Sequence, residues 1–381
     1  MTPRQDAQVN TSSGMVVRSP LGWEPVEAPP KHRWLALTIA LTLLLGVVVV
    51  SFNLALPYYA LAPGSAREVG PLIEASGEGA KLYPAEGKVL LTTISLQQVH
   101  PVEALVGWLR SDVDVLPEEQ ILPPDTTDQE YRKFNYQVMD ESKQNAIVVA
   151  LRRLGYQITE KGEGALVEKV LPQFPAQGRL QPGDVIKAIN GQPIALTTDA
   201  VALIGTQRPG DTLTVDVVQP DGSEPRQVLV PVGSDPEQGN KPVLGVLLRS
   251  FKRDFDMPFK VDIQSGSIGG PSAGLAFTLG VIDALTEGEL TGGRKVAVTG
   301  TIEIDGRVGD VGGVAQKTSA VKASGADVFL VPAGEYEIAK SRAGDGLTVI
   351  KVTTLQEALD ALGSLGGDLS ALGPAATGQR G

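Results

Sequence analysis

The chain has 381 residues, of which 42% are hydrophobic and 20% charged, a globular composition long enough for two or three domains. Its net charge of −11 argues against a protein that holds nucleic acid by electrostatic attraction. The absence of cysteine excludes disulfides, thiolate zinc sites and a cysteine nucleophile. There are two histidines, His32 and His100, so a Ser-His-Asp triad would have to use one of them, and the H-E-x-x-H zinc motif does not occur.

The N-terminal part of the sequence predicts a membrane anchor. Residues 1–33 are polar and contain prolines, which predicts a disordered cytoplasmic tail, whereas residues 34–56 are uncharged and exceed the ~20 residues that a helix needs to cross a bilayer. Basic residues precede this segment, so everything after it is predicted to be extracytoplasmic. A cleaved signal peptide is the alternative, because residues 60–62 have the form of a cleavage site. The long apolar run and the following Pro63 favour an uncleaved, single-pass anchor in the cell membrane.

The segments after the anchor change character near residue 155. Before it, residues 87–94 are apolar and β-branched, which predicts a buried strand, and residues 140–154 carry apolar side chains at helical spacing. After it, short strands are predicted at residues 165–170, 184–189, 213–218 and 227–232. The last two are expected to pair across a turn at residues 220–222.

Residues 180–194 follow the pattern L-x-x-G-D-V-I-x-x-I-N-G-x-P-I, which resembles the PDZ family in the form found in bacterial proteases. The resemblance implies a PDZ-like domain over residues 155–235, whose groove between a strand edge and a helix accepts an extended peptide by strand addition. It also implies a carboxylate-binding loop within residues 161–166 and a flanking helix at residues 198–204. The implied peptide-binding residues are Gly164, Ala165, Leu166 and Val167. The alternative is a PDZ fold that serves only as a spacer.

The C-terminal part, residues 240–363, alternates strands and helices. Strands are predicted at residues 259–263, 296–300 and 326–332, a hairpin at residues 301–311, and helices at residues 272–285, 315–324 and from Thr354 onwards. Thr354 begins a capping-box pattern for the last helix. Residues 364–381 are rich in glycine, serine and alanine, which predicts a flexible tail.

A glycine-rich loop, residues 266–274, leads into an apolar run at residues 275–285. Pro271 suits the first turn of a helix, so Ser272 is predicted to lie at a helix start beside unpaired backbone N–H groups. Such a serine can cap the helix, bind a phosphate or act as a nucleophile. The loop by itself leaves these three uses open.

A serine nucleophile needs a base to take its proton. Because histidine is nearly excluded, the remaining base is lysine, whose pKa would have to fall from ~10.4 to between ~7 and ~8 through burial or a neighbouring charge. Lys317 lies in the first turn of the helix predicted from residue 315, beside Val314 and Ala320. A lysine on a helix is commonly a solvated charge, so its position alone makes Lys317 a candidate and no more.

Two stretches resemble the signatures of the Lon-type serine protease domain: residues 270–274, and the later Gly312-Gly313-x-x-x-Lys317, with residues 298–308 between them also matching. The resemblance implies a Ser-Lys dyad in which Ser272 is the nucleophile and Lys317 the general base. It implies oxyanion donors among the backbone N–H groups around Ser272. The supporting residues that it implies are Thr299, near the lysine, and Gly270, Pro271 and Ala273. Many Lon proteases carry an acidic residue three positions before the serine, where this chain has Gly269.

The resemblance also covers residues 87–94 and 139–154. It implies that the PDZ-like domain is inserted into one protease domain formed by residues 57–154 and 240–363. The predicted fold class is therefore α+β/α/β, with a single N-terminal transmembrane helix and a Lon-type proteolytic domain of the ribosomal protein S5 domain 2-like fold. This combination resembles the bacterial membrane-anchored, PDZ domain-containing Lon-like serine proteases.

The sequence contains no G-x-x-x-x-G-K-[ST] phosphate loop, which predicts ATP-independent cleavage of unfolded or membrane-proximal extracytoplasmic proteins. No cofactor, metal or nucleic-acid partner is predicted, and a homo-oligomeric ring is expected because Lon-type domains commonly form hexameric rings. One alternative is a non-catalytic PDZ/Lon-like scaffold or adaptor of envelope proteins. Nucleotide binding by the glycine loop is a weaker alternative, because no phosphate-binding lysine or Mg²⁺ ligand accompanies that loop.

Overall fold

The N-terminal apolar segment forms a long, exposed helix. The computed structural model describes residues 31–124, 126–236 and 239–372, so the predicted N-terminal tail lies almost wholly outside the described residues. Helix α1 (Lys31–Asn53) contains a stretch that is long and apolar enough to cross a membrane, and none of that stretch is buried. The helix ends before the predicted limit at residue 56, because Leu56 N–H already bonds to Val99 O (2.9 Å) in the folded domain.

The remaining elements alternate between strands and helices. The other α-helices of the described residues are α2 (Pro101–Leu109), α3 (Asp128–Arg153), α4 (Thr197–Gly205), α5 (Gly274–Leu285), α6 (Val314–Ser324), α7 (Tyr336–Ala343) and α8 (Leu355–Ser364). The strands up to the middle of the chain are β1 (Tyr58–Glu68), β2 (Ile73–Ser76), β3 (Lys88–Gln98), β4 (Asp114–Pro117), β5 (Thr159–Lys161), β6 (Ala165–Val170), β7 (Val185–Ile189), β8 (Gln192–Pro193), β9 (Thr212–Val218) and β10 (Arg226–Pro231). The later strands are β11 (Gly233–Asp235), β12 (Lys241–Val243), β13 (Val246–Ser250), β14 (Asp254–Asp256), β15 (Lys260–Ile263), β16 (Lys295–Val298), β17 (Thr301–Ile302), β18 (Val308–Gly309), β19 (Val328–Pro332) and β20 (Thr348–Val352).

The larger sheet joins strands from the two ends of the chain in the order β20-β19-β16-β3-β1-β4. Strands β3, β16, β19 and β20 run parallel, and β1 is antiparallel to both β3 and β4. Neighbouring side chains of a strand point to opposite faces of a sheet. Accordingly, Leu91 packs in a core with α3, α5 and α8, whereas Leu90 packs with α6 and α7 on the other face.

Helix α3 is longer than the sequence pattern predicted. The apolar spacing predicted a helix from residue 140, but the structure begins it at Asp128, where Thr127 accepts from Glu130 N–H and the Glu130 carboxylate accepts from Thr127 N–H. This reciprocal pair is a capping box. The added turns are mostly exposed and polar, so they carry no continuous apolar stripe that could have revealed them.

The smaller sheet has the order β10-β9-β7-β6-β13, with the short β8 beside β7. The predicted hairpin is confirmed: β9 and β10 pair antiparallel across residues 219–225. Apolar side chains from β6, β7, β9 and α4 form a separate core under this sheet. Strand β13 follows β10 in sequence but pairs with β6, so it forms the edge of the sheet opposite β10.

Candidate active site

The serine loop is shaped by two glycines and the helix that follows them. Gly270 has φ of 86°, a conformation that strongly favours glycine, and residues 271–273 form a single 3₁₀ turn rather than the first turn of α5. The predicted helix therefore starts at Gly274, two residues later than expected. A Cβ at Gly274 would lie 2.8 Å from Ile302 N, so only glycine lets the loop approach β17 this closely. Ser272 lies half-buried in this turn.

The main chain of Ser272 is fixed by residues that follow β16. Its carbonyl oxygen accepts from Gly300 N–H (3.0 Å) and from the Thr299 hydroxyl (3.3 Å). The same Thr299 oxygen accepts from Lys317 Nζ at 2.9 Å. Thr299 thus links the amine of Lys317 to the backbone of Ser272, as the resemblance implied by placing a threonine near the lysine.

Lys317 is buried with 1% of its surface exposed, on the first turn of α6. Gly313, which has φ of 69°, precedes this helix, and a Cβ there would lie 2.9 Å from a side-chain carbon of Ile94. Burial disfavours the ammonium form and lowers the pKa of Lys317 from 10.5 to about 7, a change that the negative charge of Glu335 partly opposes. A substantial fraction of this lysine is therefore neutral near pH 7, as a general base must be.

Glu335 is a nearby carboxylate that sequence reasoning missed. One oxygen accepts from Val311 N–H (3.0 Å), in the loop that leads to Lys317. The other oxygen, Oε2, is buried and has no hydrogen-bond partner among the described residues. Burial raises the pKa of Glu335, and the neighbouring Asp310 raises it further. No motif pointed to this residue, because in the sequence it comes after β19, beyond the stretches that resemble the Lon-type signatures.

Ser272 and Lys317 line one cavity of about 500 Å³. Helix α3 forms its opposite wall: Asn135 O accepts from Gly270 N–H (2.8 Å), and the Ser142 hydroxyl donates to Pro271 O (3.1 Å). The cavity also borders strand β3 at Thr92, Thr93 and Ile94. No group of three or more His, Asp or Glu side chains with metal-binding geometry occurs within the described part of the chain.

The glycine at position 269 has a packing explanation. A Cβ at Gly269 would lie 3.2 Å from the Cβ of Asn135, closer than most real contacts of this kind. An acidic side chain here would have to push against α3, which already holds the neighbouring Gly270. The close approach of the loop to α3 therefore favours glycine at position 269.

The four predicted peptide-binding residues do not lie at a free strand edge, which corrects that prediction. Ala165, Leu166 and Val167 belong to β6, which pairs with β7 on one side and β13 on the other. Gly164 donates to Ala195 O and accepts from Phe251 N–H. Because their backbone groups are already used within the sheet, no peptide can add a strand at residues 164–167.

The free edge belongs instead to β13, which faces α4. A cavity of about 200 Å³ lies between them, lined on the helix by Val201 and Ile204 and on the strand by residues 246–248. No other described strand pairs with the outer edge of β13. The predicted flanking helix is confirmed as α4, but its partner strand lies about 80 residues later than predicted. The short apolar run Val246-Leu247-Leu248 after Gly245 was the local signal for this strand.

Two family models match separate parts of the chain. Residues 152–232 match the model of the PDZ domain, and residues 250–363 match the model of the Lon protease (S16) C-terminal proteolytic domain. The chain therefore carries a PDZ domain and a serine protease domain of the Lon type.

Individual relatives are similar to parts of the chain. A probable periplasmic serine endoprotease DegP-like protein from Ectopseudomonas mendocina is 42% identical over 83 residues, which are 22% of this chain and 17% of the relative. Lon protease 2 from Bacillus subtilis is 36% identical over 119 residues, 31% of this chain and 21% of the relative. Among solved structures, the PDZ domain of the SdrC-like protein from Listeria monocytogenes is 24% identical, covering 23% of this chain and 87% of that one, with a TM-score of 0.21. The chain thus spans about a fifth of the length of these curated relatives.

Proposed function

We propose that this protein is a serine endopeptidase in which Ser272 is the nucleophile and Lys317 the general base. The observation that carries the proposal is the buried Lys317, whose pKa of about 7 and bond to Thr299 suit a neutral amine in the cavity of Ser272. Perturbed pKa values of this kind are typical of catalytic groups. The Lon-type domain match supports the same assignment.

In the proposed mechanism, the lone pair of neutral Lys317 Nζ takes the proton of the Ser272 hydroxyl while Oγ attacks the scissile carbonyl carbon. Backbone N–H groups around Ser272 stabilise the resulting oxyanion. The Lys317 ammonium then gives its proton to the leaving amine, which leaves an acyl ester on Ser272. A water molecule, deprotonated by the same amine, hydrolyses this ester. Thr299 orients Lys317 throughout, because it holds both the amine and the Ser272 carbonyl.

We propose that the substrate lies as an extended strand along β3. Strand β16 pairs with β3 only at Lys88–Leu91, so the β16 side of residues 92–98 has no partner strand in the described chain. This unpaired edge borders the cavity of Ser272. An unfolded peptide can satisfy its own backbone there by strand addition, whereas a folded domain cannot. The groove between β13 and α4 would bind a second extended segment in the same manner.

We further propose that α1 anchors the protein in the cell membrane, with the catalytic part on the extracytoplasmic side. The signal-peptide alternative would cut after residue 62, within β1, whose pairing with β3 spans residues 59–68. Cleavage there would remove part of the strand between β3 and β4. The sequence offers no phosphate loop, and we propose that cleavage proceeds without ATP.

The test uses the full chain and an unfolded protein substrate. Ser272→Ala and Lys317→Ala should each lower kcat/KM by roughly 10³-fold or more, with no effect of added ATP. Lys322→Ala is the matched control, because Lys322 lies on the same helix but bonds to Arg342 O at the surface. Unchanged cleavage in either active-site variant would reject the dyad. A chain that binds peptides but never reacts with a fluorophosphonate at Ser272 would be a scaffold instead.

A further inference from the structure

Helix α2 exposes its large apolar side chains and buries its small residues, the reverse of a helix on the surface of a soluble domain. Its buried residues are the small Ala104 and Gly107, and a Cβ at Gly107 would lie 2.7 Å from a side-chain carbon of Val115. Its large apolar residues face outwards, with exposed fractions of 40% for Val102, 57% for Leu105, 50% for Val106, 62% for Trp108 and 80% for Leu109. A helix that packs through small residues and presents large apolar ones outwards favours an apolar environment on its outer side.

The position of α2 identifies that environment. Leu56 follows the end of α1 by three residues, which span at most about 10 Å of chain. Leu56 N–H bonds to Val99 O, and the Gln98 side chain donates to Leu56 O at 3.1 Å. Helix α2 begins at Pro101, directly after the residues that form these two hydrogen bonds, and it contacts α1. Wherever α1 leaves a bilayer, α2 must lie at that surface.

We propose that the outer face of α2 docks onto the lipid surface of the membrane that α1 crosses, with Trp108 and Leu109 in the interfacial region. This proposal rests on the proposed anchor function of α1. Tryptophan is enriched at the boundary between headgroups and acyl chains, and a helix with one apolar face lies in this plane. The second contact fixes the tilt of the protein, which a single helix followed by a short link would leave free.

Docking of α2 also determines which substrates reach Ser272. The first turn of α2, at His100 and Glu103, lines a cavity of about 640 Å³ that continues into the cavity of the dyad, since both are bordered by Ile94, Tyr131 and Asn135. With α2 on the lipid surface, this entrance opens close to the headgroups. The substrate class is therefore extended extracytoplasmic segments within a few residues of a transmembrane helix, rather than distant soluble proteins.

Trp108 provides a direct probe of docking. The sequence has three tryptophans, so Trp23→Phe and Trp34→Phe in the full chain leave Trp108 alone. In phosphatidylcholine vesicles, its emission should be blue-shifted, and it should be quenched when the lipid carries bromine in the upper acyl chain. Adding Leu105→Glu and Leu109→Glu should abolish both effects. Leu229→Glu, an equally exposed apolar position on β10, should leave them unchanged.

The outcomes separate this proposal from the anchor itself. Release of the protein from vesicles by alkaline carbonate would reject the anchor, whereas retention with a solvent-like, unquenched Trp108 would reject docking alone. A blue-shifted Trp108 that bromine does not quench, with a shift that grows with protein density, would assign the face to a second copy and reject the lipid. Quenching that the Leu105→Glu, Leu109→Glu variant retains would also reject docking through this face.

Cleavage assays test the substrate class separately. One reporter peptide is attached by a short spacer to a transmembrane helix in the same vesicles, and the same peptide is also supplied free in solution. The Leu105→Glu, Leu109→Glu variant should cleave the attached reporter several-fold more slowly and the free peptide at the parental rate. Equal rates on the attached reporter would overturn the inferred substrate class, and Leu229→Glu controls for added charge.

Discussion

Lys317 carries a cost in folding free energy because its amine is buried. Lowering its pKa from 10.5 to about 7 corresponds to roughly 5 kcal/mol lost from the stability of the folded state at acidic pH. The unfolded chain binds the proton more tightly, so the loss is complete below pH 7 and fades as pH rises towards 10.5. Within this window, stability should rise by about 1.4 kcal/mol per pH unit from this group.

We therefore expect Lys317→Met to stabilise the protein by a few kcal/mol at pH 6 to 7 while abolishing cleavage. The stability advantage over the parent should shrink as the pH approaches 10, because the parental lysine then loses its proton in both states. Denaturant unfolding at several pH values measures both trends. A variant that is less stable than the parent at pH 6 would contradict burial of this amine.

The same pKa determines the pH dependence of catalysis. Because Lys317 must be neutral to accept a proton, kcat/KM should fall about tenfold per pH unit below a midpoint near 7 and level off above it. Initial rates on a short peptide whose own groups do not titrate in this range measure the midpoint. A midpoint near the ordinary lysine value of 10.5 would show that the amine is solvated in the working enzyme.

Glu335 should tune that midpoint without contacting the substrate. The negative charge of Glu335 raises the pKa of Lys317. Asp310 in turn raises the pKa of Glu335. Glu335→Gln should therefore move the midpoint of the pH profile to lower pH and leave the plateau rate nearly unchanged. Glu337→Gln, two residues along and exposed, is the matched control. A lower plateau with an unmoved midpoint would indicate a structural role only.

At the scale of elements, the groove between β13 and α4 should act independently of the dyad. Val201 lines this apolar groove and is exposed in the free protein. Val201→Glu should raise KM for a long unfolded substrate by roughly 10-fold, since a bound peptide would cover the new charge, and covering a polar group without a partner costs about 1–3 kcal/mol. Cleavage of short peptides should not change. Comparison of kcat/KM for the two substrates, with Leu229→Glu as control, measures this. An equal loss on both substrates would contradict independent action.

The elements also show what could be predicted from sequence and what could not. The serine loop and Lys317 were predictable, because a positive φ favours glycine at positions 270 and 313, close packing demands it at positions 274 and 313, and such glycines form a readable motif. The strand β13 and the charge of Glu335 were not, because each depends on a partner far away in sequence. The cap of α3 is instead a local Thr127-x-x-Glu130 pattern, which the helical spacing of apolar residues does not reveal. The apolar spacing of residues 101–109 suits a helix, but periodicity alone cannot show that the apolar face of α2 lies on the outside.

At the scale of the whole molecule, the larger sheet cannot form from its C-terminal strands alone. Residues 250–363, which match the proteolytic domain model, contain β16 and α5 but lack β3 and α3, their neighbours in the sheet and core. We expect this fragment to show no cooperative thermal unfolding, whereas the full chain in detergent does. Near-UV circular dichroism monitors the transition. A cooperative transition in the fragment would show that β3 and α3 are dispensable.

The wide separation of β3 and β16 along the chain also affects biosynthesis. About 200 residues, including the entire PDZ domain, are made between the end of β3 and the start of β16. At synthesis rates of ~5–20 residues per second, roughly 10–40 s pass between the synthesis of β3 and that of its parallel partner β16. The nucleophile emerges only after β13, the last strand of the smaller sheet, and Lys317 later still. A nascent chain is therefore unable to cut itself or its neighbours until nearly all of it has been made, so the order of the strands delays proteolysis during synthesis.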